Sequence, residues 1–105
     1  MVRNTQMELG VGKHPLREKF EQFDHDNPHV WDLFKQFTFE AIRKGHRYFS
    51  IALVTERIRW EITVNTTDPE FKLNNNYKAF YARKFHRDYP MYDGLFRTRP
   101  SVADL

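Results

Sequence analysis

The chain has 105 residues, enough for one domain, with 30% charged residues, 16% aromatics including ten Phe, and a formal net charge of +3. It holds no cysteine, which excludes a disulfide scaffold, a thiolate zinc site and a cysteine nucleophile. No stretch approaches the ~18 apolar residues of a membrane span, and Met1 to Lys19 lack the apolar run of a signal peptide, so the expected location is the cytoplasm.

Residues 1–14 carry Gly10 and Gly12 and little periodicity, and are read as a flexible arm. A short helix is predicted from Pro15 to Phe23, with Leu16, Phe20 and Phe23 on one side. The next helix has Asn27 as its expected N-cap and Pro28 at its first position. Val30, Phe34, Phe37 and Ala41 recur at helical spacing on one face, and Trp31 and Ile42 widen it. Lys44 and Gly45 supply a C-terminal cation and a left-handed stop. Phe39 lies off this stripe.

His46 to Phe49 is expected to be a short extended piece. Ser50 caps a third helix whose stripe is Ile51, Val54, Ile58 and Ile62. Leu53 and Trp60 lie on its opposite side, so this helix has a second contact to make. The β-branched run Ile62-Thr63-Val64 predicts an early stop or a turn into a strand. Asn65 to Leu73 is a loop broken by Thr-Thr-Asp-Pro. A fourth helix runs from Asn74 or Asn75 to about Asp88, with Tyr77, Phe80, Tyr81 and Phe85 pointing inward and Pro90 stopping it. A turn follows over 91–96, with an extended piece at 95–97. Residues 100–105 form a polar tail, leaving 15–99 as the domain.

Basic character is uneven. Residues 27–62 hold six Lys/Arg against four Asp/Glu, and residues 75–105 hold six against three, which suits an anionic partner for those parts. On the fourth helix, Asn76, Ala79, Arg83 and Arg87 share the face opposite the aromatics, with Asn75 and His86 flanking it and Lys78 and Lys84 nearer its borders. Small residues admit a close backbone, Asn pairs with adenine, and Arg pairs with guanine or phosphate, as duplex DNA asks of a helix in its major groove. A third helix, a loop and a basic fourth helix follow the helix-turn-helix order, although a loop of nine residues is longer than the simplest turn.

Phe71-Lys72-Leu73-Asn74-Asn75-Asn76-Tyr77-Lys78-Ala79-Phe80-Tyr81-Ala82-Arg83 resembles a motif of short proteins from phages, prophages and bacteria. Asn27-Pro28-His29-Val30 and Arg59-Trp60-Glu61 are similar to the same group at matching places. The resemblance spans about residues 20–99. It implies a winged-helix fold, a DNA-associated regulatory role in a bacterial host cell, and no catalytic residues.

Other constellations are weak. Asp24-His25-Asp26 has ligand types but no converging partners. Glu56 and Glu61 diverge by about 140° on a helix and are no carboxylate pair. His86-Arg87-Asp88 copies a kinase motif in a chain too short for one.

The expected protein is therefore a mainly α, winged-helix-like domain of about four helices with a minor β element, needing no cofactor or metal. The expected function is non-catalytic binding of double-stranded DNA. Asn75, Asn76 and Arg83 would reach base edges, with Ala79 admitting the backbone. Lys78, Lys84, Arg87, Arg97 and Arg99 would contact phosphates or the minor groove. The alternative is a protein-interaction module built on Leu53, Trp60 and Phe39, docking on a host protein or forming a homodimer.

Overall fold

The computed structural model describes residues 14–65 and 71–105. The expected N-terminal arm, apart from His14, and residues 66–70 of the expected loop lie outside the described residues. Four helices make the domain: α1 (Pro15–Asp26), α2 (Pro28–Arg43), α3 (Ile51–Asn65) and α4 (Lys78–Asp88). Single 3-10 turns precede α4 (Asn75–Tyr77), follow it (Pro90–Tyr92) and close the chain (Val102–Asp104). No helix among the described residues is long and apolar enough to cross a membrane.

Helix ends follow local chemistry. His14 accepts the Leu16 amide at Nδ1 (3.1 Å), and Pro15 opens α1. Asn27 stands at the N-cap of α2, where its carbonyl accepts the Val30 amide at 3.0 Å, but its side chain makes no capping bond there. Its backbone and side-chain N–H groups both donate to the Phe23 carbonyl, each at 2.9 Å. Asn27 therefore closes α1, which runs three residues past the expected Phe23. The Gln22 amide donating to Asp26 supports that extra turn. Gly45 takes a φ of +93° and lets the chain fold back, so that the His46 amide reaches the Ala41 carbonyl. Ser50 Oγ accepts the Leu53 amide at 3.2 Å and starts α3.

α3 neither stops early nor becomes a strand. Ile62 is buried in the core, and burying it outweighs the few tenths of a kcal/mol by which β-branching disfavours helix. Among the described residues no strand forms. The minor β element is one parallel bridge between Phe49 and Phe96, with the Phe49 amide donating to the Leu95 carbonyl at 2.9 Å. No wing is present among these residues.

The core is a stack of rings, as a chain with ten Phe requires. Phe34 of α2 packs on Tyr81 (5.5 Å between centroids), Phe85 (6.3 Å) and Phe96 (5.5 Å). Phe20 of α1 meets Phe80 at 5.1 Å and Tyr81 edge-on at 4.8 Å. Phe39 is half-buried: it stands edge-on to Tyr89 at 4.9 Å and packs on Phe85. It seals the core's edge and is no part of an exposed face.

The sequence read residues 100–105 as a polar tail. They pack onto the bundle, with Ala103 buried. Ser101 and Asp104 form a reciprocal capping box that holds this last turn.

Candidate nucleic-acid interface

α4 is a central helix. Tyr77, Phe80, Tyr81 and Phe85 face the core as expected, and Ala82 is fully buried as well. The opposite face is partly covered. Ala79 is half-buried and packs against the core cluster. The C-terminal turn lies along this side, held by two arginines. Arg83 clasps Asp104, with Nε to Oδ1 at 2.8 Å and Nη2 to Oδ2 at 2.9 Å, and also donates to the Arg99 carbonyl at 2.7 Å. Its side chain is only 15% exposed. Arg17 of α1 lies over the Phe80 ring and donates to the Ala103 and Leu105 carbonyls.

The Arg83 hydrogen bonds, helped by the Ser101 amide, hold the Asp104 carboxyl down at about 2. A depressed carboxyl stabilises the fold above its ordinary value, and that contribution is lost as pH falls towards 2.

The other predicted contact residues divide into engaged and available ones. Lys84 pairs with Asp24 and lies over the Trp31 ring at 4.5 Å, tying α4 to α1 and α2. Asn75 Oδ1 accepts from Arg59 Nη2 at 2.6 Å, which joins α3 to the start of α4. Asn74 Oδ1 accepts the Asn76 amide and caps the turn. Asn76 and Arg87 are exposed, Lys78 is half-buried, and none of these three makes an ion pair among the described residues.

Arg97 and Arg99 are exposed. The Arg97 guanidinium stacks over the exposed Tyr48 ring, 4.1 Å from its centroid. The Phe49–Phe96 bridge causes this contact. It sets the 46–49 piece beside the 95–97 piece, where Tyr48 and Arg97 are exposed while Phe49 and Phe96 pack on the core. Arg43, Lys44 and Arg47 arrive on the same connection and are exposed. Arg43, Lys44, Arg47, Arg97 and Arg99 make no ion pair among the described residues. Glu40 shares a hollow with Lys44, and Asp93 shares one with Arg47 and Tyr48.

Sequence reasoning treated Lys44 only as a helix-end cation and passed over Arg43 and Arg47. Three cations and a histidine within five residues, without an acid, were the available signal.

His86 supports the bridge from behind. Its Nε2 accepts the Phe96 amide at 3.2 Å, and burial pushes its pKa below the ordinary 6.5, against the opposing pull of Asp93. Protonation would remove that acceptor. Because the unfolded chain takes up the proton first, stability should fall as pH drops below about 6.5. Thermal melts across that range should show the decline, and a His86→Gln variant should flatten it. An equally steep decline in the variant would remove His86 as the cause.

No group of three potential metal ligands converges among the described residues. The chain is thus a small all-α domain of four helices that exposes a basic, tyrosine-bearing surface where two distant segments meet. Compared with protein-family models, curated proteins and solved structures, it matches none.

Proposed function

We propose that the protein binds double-stranded DNA without catalysis, in a regulatory role of the phage-associated kind that its central motif implies. The carrying observation is the exposed Arg97–Tyr48 stack beside the Phe49–Phe96 bridge, with exposed cations on both bridged segments, Arg43, Lys44 and Arg47 on one and Arg97 and Arg99 on the other, none in an ion pair among the described residues. Cations without a protein partner are the ones able to replace the counterions of a phosphate backbone. An exposed tyrosine under Arg97 adds a flat surface for sugar or base. The order of α2, α3, a loop and α4 supports a helix-turn-helix reading of the domain.

In this reading Asn76, Lys78 and Arg87 remain contacts from α4. Arg83, Lys84 and Asn75 serve chiefly to position α4 and the C-terminal turn. The test is a fluorescence titration of the purified chain against random-sequence duplex DNA from about 50 to 200 mM salt. Affinity should fall steeply with salt, in proportion to the phosphates contacted. Absence of binding at the lowest salt would overturn the proposal.

A further inference from the structure

α3 leaves Leu53 and Trp60 exposed on its outer side. The outer face of α4 is covered instead, and by the chain itself. Asn76, Ala79, Arg83 and Arg87 form one row along that face. Asn76 and Arg87, at the ends of the row, are exposed. Arg83, between them, is clasped by both carboxylate oxygens of Asp104. A separate segment, the turn at 101–105, thus neutralises the inner cation of the row.

From this arrangement we propose that the C-terminal turn is an autoinhibitory strap, in which Asp104 occupies the Arg83 guanidinium that would otherwise take a DNA phosphate. The proposal rests on the DNA reading and concerns the regulation of that surface. A guanidinium offers carboxylate and phosphate the same pair of parallel N–H donors, so one excludes the other. The Asp104 side chain is 46% exposed, which leaves the clasp open to a competing oxyanion. A hollow of about 500 Å³ opens beside it, lined by Arg17, Arg83, Arg87 and Thr98 among others. Its acids are Asp93 and Asp104. With Asp104 withdrawn, the hollow sets three guanidinium groups against the single carboxylate of Asp93.

The strap is lightly attached. Its buried anchor is the methyl group of Ala103, helped by the partly buried Val102. The other holds are polar: Arg17 donates to the Ala103 and Leu105 carbonyls, and Arg83 to the Arg99 carbonyl. Water offers each of these groups a replacement partner once the turn lifts. Ser101 and Asp104 bond reciprocally within the turn, so it lifts as a unit and carries its carboxylate away. A segment with so few apolar contacts opens at the low end of a domain's stability. In the closed state α4 presents Lys78 and Arg87 to phosphate, and opening adds Arg83 between them.

Salt titrations of the full 105-residue chain with random-sequence duplex DNA test it, on the unaltered protein, Asp104→Asn, Arg83→Ala and the double variant. Asp104→Asn should steepen the salt dependence by about one phosphate contact and tighten binding several-fold at about 100 mM salt. The gain should vanish in the Arg83→Ala background, which separates release of Arg83 from the mere loss of a negative charge. Ala103→Gln, too large for its buried site, lifts the turn by a second route and should also steepen the dependence; it is the independent variant if Asp104→Asn folds poorly. Equal slopes for the unaltered protein and Asp104→Asn, or a gain that persists without Arg83, would overturn the strap and leave the DNA reading in place. If neither the unaltered protein nor any variant binds at the lowest salt, the DNA reading fails and the strap fails with it.

Discussion

Replacing Phe85 with alanine should destabilise the domain by about 3–5 kcal/mol, the usual cost of deleting a fully buried ring. Phe85 has no exposed surface. Its ring touches those of Phe34, Phe39, Tyr89 and Phe96, at centroid distances of 6.3, 5.4, 5.0 and 5.9 Å. These neighbours come from α2, from the chain after α4, and from the bridge segment. None is free to collapse into the space without breaking another contact, so most of the cavity would persist. Domains of this size hold about 5–15 kcal/mol in total, so the variant would be marginal or unfolded. Urea denaturation measures the loss. A loss under about 1 kcal/mol would mean that the rings repack and that Phe85 is not central. Trp60→Ala is the internal contrast: as the change of an exposed side chain, it should stay within about 0.5 kcal/mol at low protein concentration.

The second large effect concerns the basic surface. An Arg47→Ala/Arg97→Ala double variant should lower the salt dependence of DNA binding by about two phosphate contacts, and weaken affinity uniformly across sequences. Arg83→Ala should behave differently. Its guanidinium is engaged by Asp104 and the Arg99 carbonyl, so its loss should leave the salt slope nearly unchanged and loosen the C-terminal turn. Faster hydrogen exchange at the Ala103 amide, which donates to Ser101 Oγ, would report that loosening. If Arg83→Ala flattens the slope while the double variant does not, the contact surface is the outer face of α4 and not the bridge region.

Helical spacing identified the buried stripes of α2, α3 and α4, because a helix places positions three and four apart on one side whatever it packs against. Gly45, Ser50 and Pro90 marked their boundaries for equally local reasons. Leu53 and Trp60 stood out as surplus apolar groups because the core stripe of α3 was already complete.

Other features depended on the tertiary structure. Arg83 and Lys84 read as free cations because a helical wheel shows a face and not its neighbours. Asp104 is 21 residues from Arg83 and Asp24 is 60 from Lys84, so no periodicity could pair them. Asn27 stands between two helices, and only the fold decided that its side chain bonds back to the end of α1. Tyr48 and Arg97 are far apart in the sequence, and a single backbone bridge beside them brings the guanidinium onto the ring. The sequence by itself determined that four helices form and which side of α2, α3 and α4 turns inward, since these follow from local geometry and solvation. Which charges remain exposed to meet an anion was decided by the tertiary structure, because a charge is neutralised by whatever group the fold brings beside it.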